Sequence, residues 1–358
     1  MAHVQHDGIY TTLENDATHR DKIENVLRTH SEGMWSGSVG TITAFYTGST
    51  QESNTGKYYY DVHSIDNENA DVEFAVTYGH RLGSGSEAGN VVGLTNPTKG
   101  IYSQFRQILL PPGTTQFNFH GDSGTDYKSE DFYAVVVNRS RFREKMDPGN
   151  WELVLTSGSN NVTLIDDSGA SQNATIAASQ REFWVVSGSI ANGIHTTATS
   201  TATTTTSGSY GTFYPETGMI LLNPSLLGDS DLTNSNDQIK VIENTGTSTA
   251  TNDYNHKKLF NSIVSGVRFA ARREEQKRSS YYFCRVKNNQ YNHSQNPSYF
   301  SGTSAELTNK GFIQDPKSYI TTIGLYNDNN ELLAVSKLSQ PLLKDMNTEA
   351  LFKVKLEY

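Results

Sequence analysis

The sequence predicts a mainly β protein: antiparallel β-sandwich-like domains with a few short connecting helices. Three observations carry that prediction. Short runs rich in Val, Ile, Thr, Tyr and Phe recur along the chain, separated by clusters of Gly, Ser, Thr, Asn and Asp that end strands and form turns. Hydrophobic residues make up 35% of the 358 residues, a balance that many short strands joined by polar turns produce. The 19 Tyr and 15 Phe favour strands and large, semi-polar contact surfaces. At ~100–200 residues per domain the length suggests two or three domains. We expect an N-terminal β-rich region with short helices over residues 1–110 and a central β domain over 111–245. A C-terminal β domain over 246–358 would hold a hairpin at 319–338 and a final strand.

Residues 1–34 are polar, and within them residues 21–30 place Ile23, Val26 and Leu27 on one side of a short amphipathic helix. Strand runs follow at 41–46 (TITAFY), 57–62 (KYYYDV) and 72–78 (VEFAVTY), and residues 79–93 read as a glycine-rich loop. Residues 96–110 set Ile101, Phe105, Ile108 and Leu109 at helical spacing, and Pro111-Pro112 stops that helix. Strands are expected at 117–119, 132–138 (FYAVVVN) and 151–155, the last preceded by a turn at Asp147-Pro148-Gly149-Asn150. The β pattern continues at 162–165, 182–186 and 219–222, with a turn at Asp166-Asp167-Ser168-Gly169. Residues 196–208 (TTATSTATTTTSG) are low in complexity and read as an exposed loop.

After the polar stretch 230–255, Leu259, Phe260, Ile263 and Val264 form a short helical face that Gly266 ends. Val267, Phe269 and Ala271 then alternate into a strand, and the charge run Glu274-Glu275-Gln276-Lys277-Arg278 reads as a solvated loop. Residues 281–291 alternate again, with Cys284 on the face of Tyr282 and Val286. The hairpin is signalled by Asn327-Asp328-Asn329-Asn330 between two apolar runs, because Asn and Asp tolerate left-handed backbone and bond their own main chain. Its first arm sets Tyr319, Thr321, Ile323 and Leu325 on one face. Its second, Leu332-Leu333-Ala334-Val335, is apolar on both faces, as a strand covered from two sides would be. A last strand with Leu351, Val354 and Leu356 is expected to close the hairpin's sheet.

The chemical motifs are weak. His3, His6, His19 and His30 form no usual ligand pair, so we read them as surface histidines. The glycines of residues 79–93 lack the G-x-x-x-x-G-K-[ST] spacing of a phosphate cradle. His120-Gly121-Asp122-Ser123-Gly124 contains the G-D-S-G of a serine protease but lacks its continuation and a base segment, so a turn is expected. Asp166-Asp167 is half of a calcium loop with no D-x-D-x-D-G-x₅-E to complete it. Arg139, Arg141, Arg143 and Lys145 could bind an anion, but we expect them to pair with carboxylates across a subunit boundary. Aromatic platforms for a sugar could come from Lys57-Tyr58-Tyr59-Tyr60 or Tyr281-Tyr282-Phe283, whose alternation favours packing instead. No catalytic, cofactor-binding or metal-binding residue is expected, and no cofactor.

The 38 acidic against 29 basic side chains give a net charge of −9, which argues against a nucleic-acid partner. Cys284 is the single cysteine, so there is no intrachain disulfide, in keeping with a reducing cytoplasm. The first twenty residues lack the basic start and apolar core of a signal peptide. No apolar run approaches the ~20 residues of a membrane span. A soluble chain made in a cytoplasm, with no membrane partner, is expected.

Five segments carry a resemblance. They are TTIGLYNDNNELLAVSKLS with KVKLEY at the end of the chain, YYFCRVKNNQY at 281–291 with Asn296-Pro297, SRFREKMDPGNWELVL at 140–155, LIDDSG at 164–169 and GTFYPETGMILLNP at 211–224. Together they resemble virion structural proteins of contractile-tailed phages, especially those infecting marine bacteria, of the tail or baseplate type. The resemblance implies a non-enzymatic assembly subunit located in the virion, made in the host cytoplasm, whose partners are other virion proteins and symmetry copies of itself. The alternative it leaves open is a receptor- or carbohydrate-binding protein, or a head or neck surface protein, of the same particle.

Overall fold

The computed structural model describes residues 3–6, 9–11, 22–35, 40–48, 59–67, 69–83, 85, 97–119, 128–169, 175–177, 180–196, 209–228, 242 and 254–357. The protein is mainly β, with large antiparallel sheets and few short helices. It divides into two compact units. The larger is continuous, His30–Glu275, and the smaller joins Met1–Thr29 to Gln276–Tyr358.

The larger unit is built on one long antiparallel sheet. Its strands are β1 (Tyr59–Val62), β2 (Phe74–His80), β3 (Asp131–Val137), β4 (Lys145–Ser157), β5 (Asn160–Asp166), β6 (Gln180–Ser189), β7 (Gly211–Tyr214), β8 (Met219–Leu222) and the first part of β9 (Phe269–Val286). The spatial order is β9-β4-β5-β6-β7-β8-β3-β2-β1. Helices α1 (Pro97–Leu109) and α2 (Asn255–Gly266) contribute to separate cores. On one face Leu259, Phe260 and Ile263 of α2 join Tyr133, Val135, Trp151, Leu153 and Phe213. On the other, Tyr102, Phe105 and Leu109 of α1 join Phe132, Ala134, Tyr214 and Leu221. Strand β3 therefore alternates between two cores, and its unbroken FYAVVV run follows from having both faces covered. Each such side chain, fully buried, contributes ~1.5–3 kcal/mol.

Two glycines make close approaches that a side chain would block. Gly79 lies opposite Phe132, and a Cβ there would come 2.6 Å from the Phe132 ring. The ring fills that space and meets Phe117, Phe105 and Tyr102 at centroid distances of 5.0, 5.1 and 5.4 Å. At the end of α2 a Cβ on Gly266 would stand 2.0 Å from the carbonyl oxygen of Val154 in β4. The helix ends at Gly266 as expected; the glycine also lets the last turn lie against a strand backbone, and the left-handed cap falls on Val267, at φ 57°.

Four local expectations are corrected in this unit and at its margin. Residues 21–30 are not a helix but part of the strand Lys22–Gly33, which pairs with β9. Three apolar residues make too short a stripe to sustain an isolated helix, and β-branched Ile23, Val26 and Thr29 suit a strand. The Asp147–Asn150 turn is absorbed into β4 as an irregularity, where pairing with β9 jumps from Met146 to Trp151. The charge run 274–278 lies within β9, with Lys145 opposite Glu274. Gly79 and His80, expected in a loop, end β2.

In the smaller unit the strands Ile9–Thr11 and His3–His6 continue into β10 (Ser318–Tyr326) and β11 (Leu332–Lys344), in that order. The last strand, β12 (Ala350–Glu357), pairs with the second part of β9, Cys284 opposite Phe352 and Tyr282 opposite Val354. Cys284, Val286, Phe352 and Val354 from that pair meet Ile320, Ile323 and Leu325 of the hairpin in one core, a sandwich. The turn is as expected: Asn327 Oδ1 accepts from the N–H groups of Asn329 at 3.0 Å and Glu331 at 2.8 Å. The last strand does not close the hairpin's own sheet; it belongs to the facing layer. Its inward residues are Phe352, Val354 and, partly, Leu356, whereas Leu351 is 67% exposed. In β10 a register shift between Ile320 and Thr322 breaks simple alternation, so Ile320 joins Ile323 and Leu325 inside while Tyr319 faces out. The second arm is covered on one side only, with Leu333 and Val335 exposed.

Two stability contrasts test this arrangement by urea denaturation. Phe352→Ala should cost ~3 kcal/mol as a core truncation, whereas Leu351→Ala should stay within ~0.5 kcal/mol. Equal losses would place both residues inside. Gly266→Ala should destabilise by more than ~1 kcal/mol, because the clash adds to any helical gain. Val267→Gly should be neutral or stabilising by up to ~1 kcal/mol, since glycine adopts the left-handed cap without strain.

Candidate functional site

A group of hydrogen-bonded polar side chains lies where β2 meets β3. Tyr78 stands opposite Tyr133 and His80 opposite Asp131, so the period of two brings all four to one face. Tyr78 donates its hydroxyl to Asp131 Oδ2 at 2.6 Å. Ser129 donates to the Asp131 carbonyl at 2.6 Å and lies 3.2 Å from Oδ1. The Leu82 N–H donates to His80 Nδ1 at 3.1 Å, which leaves the ring proton on Nε2 when the ring is neutral. Behind them the Tyr133 hydroxyl is 3.5 Å from Asn255 Oδ1 at the start of α2. At the rim Glu130 accepts from Gln116 at 2.8 Å and from Arg81. Burial raises the Asp131 carboxyl above its ordinary range and lowers the His80 imidazole. It also holds the Tyr78 and Tyr133 phenols well above theirs.

A serine, a histidine and an aspartate thus stand together, but not in the order of a nucleophilic relay. Ser129 spends its hydroxyl on Asp131, and the imidazole nitrogen that could take a proton accepts from a backbone amide. The cluster ties the polar ends of two strands together. The signal for it was a polar residue every second position in VTYGH and SEDFY, which reading the runs as plain strands passed over.

A second feature is a recess of about 250 Å³ lined by Gly149, Ile165, Asp166, Gly169, Ser189, Ile190 and Gly193. Asp166 is inside it, yet the Gly149 N–H reaches its two oxygens at 2.8 and 3.0 Å, and the Ser168 N–H reaches Oδ1 at 3.0 Å. Neighbouring Asp167 accepts from the Trp184 N–H at 2.9 Å. The two acids hold the irregular backbone at 147–150 and the following turn, as a turn reading requires. Among the described residues no set of three His, Cys, Asp or Glu is grouped to hold a metal ion.

The four basic residues find partners within the chain. Arg141 pairs with the buried Glu73 at 2.8 Å and with Asp71 at 3.2 Å. Arg143 meets Glu275 at 3.1 Å and Lys145 meets Glu274 at 2.6 Å. Arg139 donates to the Glu216 carbonyl at 2.8 Å and lies over the Phe142 ring. Of the two aromatic runs, the described part of the first is split and the second is capped by a lysine. Tyr60 is buried edge-on against His256 and Phe260 while Tyr59 turns outward. Lys353 Nζ sits 4.2 Å over Tyr281 and 5.4 Å from Phe283. Cys284 is a core residue. In the smaller unit Lys344 is buried with its ammonium donating to Asn292 Oδ1 at 2.8 Å and to the Asn288 and Asp345 carbonyls at 2.9 and 2.6 Å.

His120–Gly124, residues 197–208, Tyr58 and His19 lie outside the described residues, and of His3 and His6 only the backbone is described. No helix of the described residues is long and apolar enough to cross a membrane. Neither a protein-family model, nor a curated protein, nor a solved structure matches the chain.

Glu182, hydrogen-bonded to Tyr214, gives this region a measurable pH dependence. Burial pushes its carboxyl from an ordinary 4.5 up to about 7. The folded chain then keeps a proton that the unfolded chain has released, so stability falls as pH rises from 4.5 to 7 and stays lowered above. The penalty is on the order of 3 kcal/mol. Glu182→Gln should therefore match the parent at pH 4.5 and exceed it at pH 8 in parallel urea titrations. An unchanged difference across that range would mean that the carboxyl is not desolvated.

Proposed function

We propose that the chain is a non-enzymatic structural subunit of a contractile-tailed phage virion, in the baseplate or adjoining tail. The observation that carries the reading is where the five resembling segments fall. They supply β4, the turn after β5, the β7–β8 hairpin, the end of β9 and β10 through β12, which are strands and turns of both units. Two of them meet at the small recess, where Asp166 accepts from the Gly149 N–H. Two further features support the reading. The buried acids and bases hydrogen-bond to one another or to backbone amides, and the outer side of the β10–β11 hairpin is apolar and exposed. A protein built to hold neighbours needs such surfaces more than it needs a reactive cleft.

Mass spectrometry of purified tails, heads and whole particles from the encoding phage tests this. We expect the chain in whole particles and in isolated tails. Its presence on tail-less heads alone would overturn the tail assignment, and its absence from all particles would overturn the virion reading.

A further inference from the structure

The outer face of the β10–β11 hairpin is where a solvated antiparallel sheet would be polar. Here it carries Tyr319, Leu333, Val335 and Leu343, with Leu332 and Leu342 also exposed, by 39% to 65% in all. Strand β11 is also the last strand of its sheet among the described residues, so its outer backbone edge has no neighbouring strand. An open edge beside exposed apolar side chains is a template for another strand.

We infer that this edge and face pair with the same edge and face of a second copy of the chain, across a two-fold axis. The occupant is indicated by how β11 is laid out. Apolar pairs stand at its two ends, Leu332-Leu333 and Leu342-Leu343, and the middle is polar, Ser336-Lys337 and Ser339-Gln340. About a two-fold axis each residue meets the one equally far on the other side, so a strand that reads alike from either end sets apolar against apolar and polar against polar. With the axis at Leu338, Leu333 of one copy stands opposite Leu343 of the other. Faces agree as well. Leu343 lies opposite the outward Tyr319, and Lys337 opposite exposed Thr322, so Leu333, Val335, Lys337 and Leu343 share the outer side. Pro341 lies where pairing with β10 skips from Lys337 to Leu342; lacking an N–H, it leaves no donor unpaired. Toward the ~600–1,000 Å² that each copy of a stable interface buries, β11 brings five exposed apolar side chains and Tyr319 of β10 a sixth.

The inference deepens the assembly reading by naming a self-contact, and its test is separate because it is made in solution. Sedimentation equilibrium of the purified full chain should show dimers whose population rises with concentration. Leu333→Lys with Val335→Lys should weaken dimerisation at least tenfold while the melting temperature holds, because both side chains are already in water. Should that variant melt early, a second one decides. In Leu333→Cys with Leu343→Cys the two thiols of one chain lie ten residues apart, ~33 Å along a regular strand and well beyond disulfide reach. Oxidation should therefore give covalent dimers through residues 333 and 343. A wild-type chain that stays monomeric at high micromolar concentration, a lysine variant that dimerises undiminished, or a cysteine variant that gives no covalent dimer overturns the proposal. A monomer found in particles would sink this inference and spare the virion reading. A dimer absent from particles would do the reverse.

Discussion

Strand β3 has no solvent side, and much of the larger unit follows from that constraint. Phe132 and Ala134 must be covered by one layer and Tyr133, Val135 and Val137 by another. Helices α1 and α2 supply part of those layers. The ring of Phe132 needs more room than a paired strand ordinarily leaves, and Gly79 provides it. Where β3 begins, the same double burial would strand the Asp131 carboxylate without water. Tyr78 and Ser129 satisfy it there, because a buried acceptor left unpaired costs ~1–3 kcal/mol or more when charged. The polar cluster is thus a consequence of the sheet's construction before it is anything else.

A second organising element is charge carried inside strands. Glu274 and Glu275 of β9 face the basic run that precedes and opens β4, and Arg273 bridges Glu275 at 3.1 Å and Glu32 at 2.7 Å. Lys145, Glu274, Arg273 and Glu275 are only 12–16% exposed, so solvent screens them less than it would surface pairs. These form a chain of alternating sign on neighbouring strands, which favours one register over a slipped one that would set like charges opposite. Arg141 and Glu73 differ in kind. Glu73 is buried, so each holds a charge that would otherwise lie unpaired in a poor solvent.

Much of this was legible in the chain, and the failures have physical causes. Pro97 and Pro111 bracket α1 because proline starts a helix well and cannot continue one. The four-residue Asn and Asp turn marked its hairpin because those side chains act within the turn itself. Local chemistry was readable wherever it was self-contained. The run 274–278 looked like a loop because its partners, Arg143 and Lys145, lie some 130 residues earlier. LLAV read as a strand covered twice and is covered once, whereas FYAVVV, read only as a strand, is the one covered on both faces. An apolar run states what a strand could bury and carries no record of what lies behind it. The polar cluster escaped notice for the same reason, since Tyr78 and Asp131 are 53 residues apart in the chain.

The smaller unit draws on both ends of the sequence, and this sets an order of events during synthesis. Val4 pairs with Leu325, so the earliest strand waits for a partner made more than 300 residues later. Closing so long a loop from an unfolded chain is entropically costly. The larger unit, His30–Glu275, is continuous and is complete before Gln276 leaves the ribosome. Once it folds, its own ends are held side by side, for Arg273 reaches Glu32 and Arg272 reaches Ser31. The intervening 246 residues (30 through 275) then cease to count as slack. The early strand and the late hairpin are left to find each other across a short tether, and folding proceeds from the inserted unit outward.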